Sequence, residues 1–147
     1  MQLEAGINDR NVKRGFGGTT DVEFVVQLLQ MVHAADCREC LVSGTQDALT
    51  LLSQHGFIDS VTAETLTQNY AFLRRVESGI RLMNLTARHE IPAHVFELET
   101  LAFLLSQPSA PDARIDPNAL VEKCREVQSS NRHIFETVVS RFLPGEE

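Results

Sequence analysis

Between residues 20 and 34 the chain is apolar around most of a helical circumference. Val22, Val25, Leu29 and Val32 recur at helical steps, and Phe24, Leu28 and Met31 cover the flank. Only Glu23, Gln27 and Gln30 break that coverage, at i, i+4 and i+7, so a helix here carries one polar stripe. Such a helix is predicted to lie inside a bundle of other helices rather than on its surface. Thr20-Asp21-Val22-Glu23 reads as its capping box, with Thr20 at N-cap and Glu23 at N3.

The same period runs through the rest of the chain. A second helix is predicted from Thr45 to His55, inward through Ala48, Leu49, Leu51 and Leu52 and closed by Gly56 and Phe57. A third runs from Ser60 or Thr62 to about Asn84, with Leu66, Tyr70, Leu73, Val76, Ile80 and Met83 on one face. Arg74, Glu77 and Arg81 are spaced for pairing on its outer side. Gly79 is a weak point if exposed. Ile91-Pro92 marks a break, and a short fourth helix follows to Leu105 through Leu98, Leu101 and Ala102. Gln107 to Asp116, with Pro108 and Pro111, reads as a loop. Asp116-Pro117 opens a last helix to about Phe142, lined by Leu120, Cys124, Val127, Ile134 and Val138 and stopped by Pro144-Gly145. No stretch alternates with period two for the length of a strand. The predicted fold is all-α, an antiparallel bundle of about five helices. Residues 1–12 are read as a junction, 13–143 as the bundle and 144–147 as a tail.

A chain of 147 residues is long enough to bury the core of one domain. Its 20 acids against 13 bases argue against a sequence-independent grip on nucleic acid, which needs a clustered positive face. No apolar run approaches the roughly 20 residues of a membrane span, and MQLEAGINDR is not a signal peptide. Three cysteines without a leader point to a reducing compartment, so the expected location is the cytoplasm.

Lys13-Arg14-Gly15-Phe16-Gly17-Gly18, just ahead of the first helix, is the stretch best able to carry chemistry. Its glycines permit close backbone approach, a helix N-terminus behind them offers N–H groups, and two cations stand nearby, so a phosphate could be held. No Gly-Lys-Ser/Thr follows, so it is not a Walker A loop. A flexible turn leading into the helix explains the same residues equally well. Asp21 and Glu23 are two residues apart and point in different directions on a helix. They are read as a dipole partner and a capping residue rather than a catalytic pair. His33, Cys37 and Cys40 make a His-x3-Cys-x2-Cys cluster, but zinc wants four ligands and Cys124 and the other histidines are distant in sequence. Neither a metal site nor a redox CxxC is predicted. His55, His89, His94 and His133 are isolated, and no catalytic residue is assigned.

Residues 11 to 30, NVKRGFGGTTDVEFVVQLLQ, resemble the start of the helical domain of glutamate-ammonia-ligase adenylyltransferases. That family's pattern is Lys-x-Gly-x-Gly-Gly-x-x-Asp-Ile-Glu-Phe, an apolar pair and Gln. Here it is Lys13, Gly15, Gly17, Gly18, Asp21, Val22, Glu23, Phe24 and Gln27. Thr45 to Gly56 is similar to Thr-x-x-Ala-Leu-x-x-Leu-x-x-x-Gly, and Tyr70 to Glu77 to Tyr-x-Phe-Leu-Arg-Arg-Leu-Glu. His89, Pro92, Asn131-Arg132 and Phe135 also fit, so the resemblance spans about residues 11 to 143. Phe16 stands where proline is frequent, Thr19 where Ile or Leu is common, and Ser78-Gly79 where His-Arg is usual.

The resemblance implies an enzyme that moves AMP from ATP, with Mg2+, to a tyrosine of glutamine synthetase, or removes it by phosphorolysis. It implies partners as well: an adjoining nucleotidyltransferase domain, glutamine synthetase and the PII signal protein. The family's metal-binding carboxylates lie on a catalytic sheet whose motif this sequence lacks. The chain alone is therefore expected to be inactive and to bind no cofactor. In that setting Lys13, Arg14, Gly15, Gly17, Gly18, Asp21 and Glu23 would lie at the nucleotide or inter-domain junction. Thr20 before Asp21 and the Ile80-Arg81-Leu82 ending favour the adenylylating half. The alternatives are a non-catalytic module docking glutamine synthetase or PII, and the helical part of a PII uridylyltransferase.

Overall fold

The structure is a computed structural model that describes residues 10–83, 89–106 and 114–143. The predicted loop around Pro108 and Pro111, the Pro144-Gly145 stop, the 144–147 tail, Asn84 and residues 1–9 of the junction lie outside them. Among the described residues five α-helices follow in order: α1 (Thr19–His33), α2 (Thr45–Gln54), α3 (Ser60–Met83), α4 (Val95–Leu105) and α5 (Pro117–Phe142). One 3₁₀ turn, Arg38–Cys40, links α1 to α2. The fold is the all-α bundle that the periodicity predicts.

Local signals set most of the boundaries. Asp116 accepts a hydrogen bond from the Ala119 amide at 3.1 Å, with Pro117 behind it, and so starts α5. α2 ends in a Schellman pair: Phe57 N donates to Leu52 O at 2.9 Å, Gly56 N to Ser53 O at 3.0 Å. The start of α1 differs from expectation. Its N-cap is Gly18, without a side-chain cap, and Thr20 N donates to Lys13 O at 3.0 Å. Asp21, not Glu23, is the acid that reaches back, accepting from Gly17 N at 2.6 Å. The box is shifted toward the N-terminus because the glycine turn folds under the helix end.

The core falls into two clusters strung along the two long helices. One gathers Val22, Val25, Val26 and Leu29 of α1 with Leu49 and Leu52 of α2, Leu66 of α3 and Val138 of α5. The other gathers Leu73, Val76 and Ile80 of α3 with Leu101 and Ala102 of α4, Leu120 and Cys124 of α5, and Val12. α1 is not enclosed as its composition suggested. It packs on α2, α3 and α5 through one face and leaves Phe24, Val32 and Met31 exposed, Met31 at 77%. Gln30 leaves the predicted polar stripe to donate to the carbonyls of Cys40 and Val42, at 2.8 and 2.9 Å.

Two corrections concern α3. Glu77 lies not on the outer side but at 1% exposure, because positions 73, 76, 77 and 80 share one face. Arg74 and Arg81 are on its flanks, at 3.1 and 3.3 Å, and His89 Nδ1 is 3.1 Å from its carboxylate. His89 is therefore not isolated, but its ring N–H is not aimed at the carboxylate, so the approach is a charge proximity and not a hydrogen bond. Gly79 is buried, and a Cβ on it would stand 2.7 Å from Leu101 Cδ1. The glycine lets α4 approach α3 closely. Gly79→Ala gains about 1 kcal/mol of helix propensity but loses about 1–3 to the overlap. A net loss of about 1 kcal/mol in urea unfolding is expected, turning to a gain in a Leu101→Ala background.

Candidate functional site

The glycine turn is built on Asn11. Its side-chain oxygen accepts from the amides of Lys13 and Arg14 at 3.1 and 2.7 Å, an Asx turn. Before it, the chain pairs with the segment leading to α4. Val12 N donates to His89 O and Ile91 N to Arg10 O, both at 2.8 Å, around an antiparallel bridge of Asn11 with Glu90. After it, Gly18 N bonds Gly15 O at 2.9 Å, Thr19 N bonds Val12 O at 2.9 Å, and Asp21 N bonds Gly18 O at 3.1 Å. The amides from Gly17 to Asp21 thus all have protein acceptors. The free N–H groups expected at this helix end are not there, so a phosphate would find side chains rather than a backbone cradle.

Two of the glycines are fixed by space. Gly17 has φ +73°, and a Cβ on it would fall 1.7 Å from the Gln128 carbonyl oxygen of α5. A Cβ on Gly18 would meet the Lys13 carbonyl oxygen at 2.6 Å. The turn is clamped onto the middle of α5. Asn131 donates to Gly17 O at 2.9 Å, Gln128 to Asn11 O at 3.3 Å, and Asn69 of α3 donates to Asn131 Oδ1 at 3.0 Å. Asn131 and Gln128 are buried, so this polar layer sits between the two hydrophobic clusters.

Arg132 fastens the outside of the clamp. It bonds Asp21 Oδ2 and Glu136 Oε1, each at 3.2 Å, and its guanidinium lies 4.2 Å over the Phe16 ring and 4.5 Å over that of Phe135. Phe16, which departs from the resembled pattern, is the face on which this arginine rests. Asp21 serves three neighbours: the helix dipole, Gly17 and Arg132. Glu23 does not cap; its carboxylate accepts from the Tyr70 hydroxyl at 3.1 Å. Burial, first of all, raises the Tyr70 phenol above its ordinary pKa.

The structure thus brings Gly15, Gly17, Gly18 and Asp21 together with Gln128, Asn131 and Arg132. Asp21 and Glu23 face different partners. Lys13 is half-buried and Arg14 exposed, and neither side chain is in an ion pair among the described residues. Gln128 carries no signal in the sequence, because its role depends on a glycine more than a hundred residues away. Cys124, buried in the second cluster, is pushed up to about 12, so its thiol stays protonated at neutral pH.

Comparison with known proteins bears on these same elements. A family model described as GlnD PII-uridylyltransferase matches residues 3–139. The bifunctional glutamine synthetase adenylyltransferase/adenylyl-removing enzyme of Mycobacterium avium (strain 104) is 43% identical over 140 residues, 95% of this chain. Its counterpart in Mycobacterium tuberculosis (strain ATCC 25618 / H37Rv) is 35% identical over 134 residues, 89% of this chain. The chain spans only 14% of the length of each. Among the described residues no helix is long and apolar enough to cross a membrane. With the matched residues covering the glycine turn, its α5 clamp and the helices between, the chain belongs to this GlnD-type family of helical domains, which the bifunctional glutamine synthetase adenylyltransferases carry within a much longer protein.

Proposed function

We propose that this chain works beside a nucleotidyltransferase domain, in an enzyme that transfers AMP from ATP to a tyrosine of glutamine synthetase or removes it. In this reading the bundle is scaffold and lid, and the catalytic carboxylates, Mg2+ and ATP belong to the adjoining domain. The observation that carries it is the glycine turn. Its backbone is tied to itself, to α5 and to residues 89–91, while among the described residues the Lys13 and Arg14 side chains make no ion pair. A turn held this firmly presents two cations in a fixed place, suited to a domain seam beside a triphosphate. Gly15, Gly17, Gly18 and Asp21 hold the turn, and Glu23 ties α1 to α3. The adenylylating half remains the favoured assignment, and PII regulation and a cytoplasmic location accompany this reading.

In the full-length enzyme, Lys13→Ala with Arg14→Ala is expected to lower kcat/KM for ATP roughly tenfold, about 1.4 kcal/mol of transition-state stabilisation. Unchanged ATP affinity and turnover would reject the assignment.

A second reading, docking of glutamine synthetase or PII, is favoured by α4. Val95, Phe96 and Phe103 are exposed there beside Glu97 and Glu99. Titration of the isolated chain with glutamine synthetase tests it. Saturable binding that Phe96→Ala with Phe103→Ala abolishes would support docking.

A further inference from the structure

The sequence pairs Cys37 and Cys40 with His33, but the structure selects a different histidine. His33 stacks its ring on Phe57, centroids 3.9 Å apart, with Phe142 against its edge. His55 also lies parallel to the Phe57 ring, centroids 6.1 Å apart, so the choice between the two rests on ligand-atom distances. His55, the C-cap of α2, takes its place: ligand atoms of Cys37, Cys40 and His55 all lie within 4.8 Å of one another. Both sulfurs are buried and 2.6 Å apart, whereas His55 is partly open to solvent. Glu39, between the two cysteines, brings its carboxylate 3.5 Å from His55 Nε2.

We propose that Cys37, Cys40 and His55 form a site for one zinc-class divalent cation, with a fourth position left to solvent beside Glu39. Two thiolates and an imidazole on tetrahedral zinc, at about 2.3 and 2.0–2.1 Å, hold their ligand atoms roughly 3.5–3.8 Å apart. To reach that arrangement the two sulfurs, 2.6 Å apart, must open around the ion. The 3₁₀ turn Arg38–Cys40 converges both cysteines, and Gln30 fixes it through the Cys40 and Val42 carbonyls. Sulfur with imidazole selects a borderline-soft cation over Mg2+ or Ca2+. Glu39 is the carboxylate that orients and polarises the histidine.

A redox role fits less well, because both sulfurs are buried and closed to an attacking thiol. The cation would join the α1–α2 connection to the end of α2, and none of its ligands belongs to the glycine turn. The site is therefore independent of the proposed nucleotidyl-transfer role.

The untagged chain, reduced and then stripped with a chelator, is titrated with Co2+ as the spectroscopic probe. One equivalent is expected to give sulfur-to-cobalt charge transfer and the intense visible bands of tetrahedral cobalt, both erased by stoichiometric Zn2+. Cys37→Ser and Cys40→Ser should each abolish the charge transfer. His55→Ala should weaken cobalt binding tenfold or more with unchanged helical circular dichroism. If the serine variants fail to fold, His55→Ala carries the test, because that residue sits at a partly exposed helix end. Weak octahedral cobalt bands without charge transfer, or undiminished affinity in His55→Ala, would overturn the proposal. So would recovery of the cysteines as a disulfide with no metal taken up.

Discussion

Gly17→Ala is expected to lower the stability of the chain by about 2–5 kcal/mol. A left-handed backbone costs a residue with a Cβ about 1–2 kcal/mol. Overpacking adds typically 1–3 more, and here the obstacle is backbone. The methyl would lie 1.7 Å from the Gln128 carbonyl oxygen, inside a helix that cannot bend away without losing its own ladder. Gly56 supplies the control. Its φ of +77° is nearly the same, but nothing lies within 4 Å of its Cβ position. Gly56→Ala should cost only the conformational part, about 1–2 kcal/mol. Urea unfolding of the two variants measures the difference directly. Equal losses would mean that α5 does not clamp the turn.

Glu77→Ala is expected to cost about 2–4 kcal/mol. The carboxylate is buried, and its removal strips a charged partner from Arg74, Arg81 and His89 while leaving a cavity beside Ile80. Each arginine side chain is about half exposed, 49% and 53%, and can turn to water, which holds the loss below that of a fully enclosed pair. Glu77→Gln keeps the shape and one acceptor, so about half of the loss should return. Chemical denaturation of the three proteins checks the order. A loss under 0.5 kcal/mol for alanine would place Glu77 among ordinary surface pairs.

Glu77 and Glu23 mark what periodicity can and cannot reveal. Helix positions and inward apolar residues were legible because each depends on neighbours three or four residues away, and the Asp116-Pro117 and Gly56-Phe57 signals are equally local. Glu77 occupies a core register, yet its charge alone placed it outside; only the convergence of α3 with the His89 segment shows why burial is tolerable. Glu23 was legible as polar, but Tyr70, 47 positions on, decides what it bonds. At the glycine turn, the need for close approach was readable in Gly17 and Gly18. That the approaching surface is the Gln128 carbonyl, and that the amides are thereby used up, depends on a helix at the other end of the chain. The family resemblance rested on these same residues, and the comparisons bear it out.

The short pairing of residues 10–12 with residues 89–91 has a mechanical consequence. A pull or twist on any chain joined ahead of Arg10 enters the bundle at that clasp, not through the axis of α1. It is delivered at once to His89, and so to the Glu77 cluster, and through Asn11 to Gln128 at the midpoint of α5. α5 would feel it at its waist, where a small rotation swings both ends, and α3 in its last two turns. Two hydrogen bonds of 2.8 Å thus act as a fulcrum.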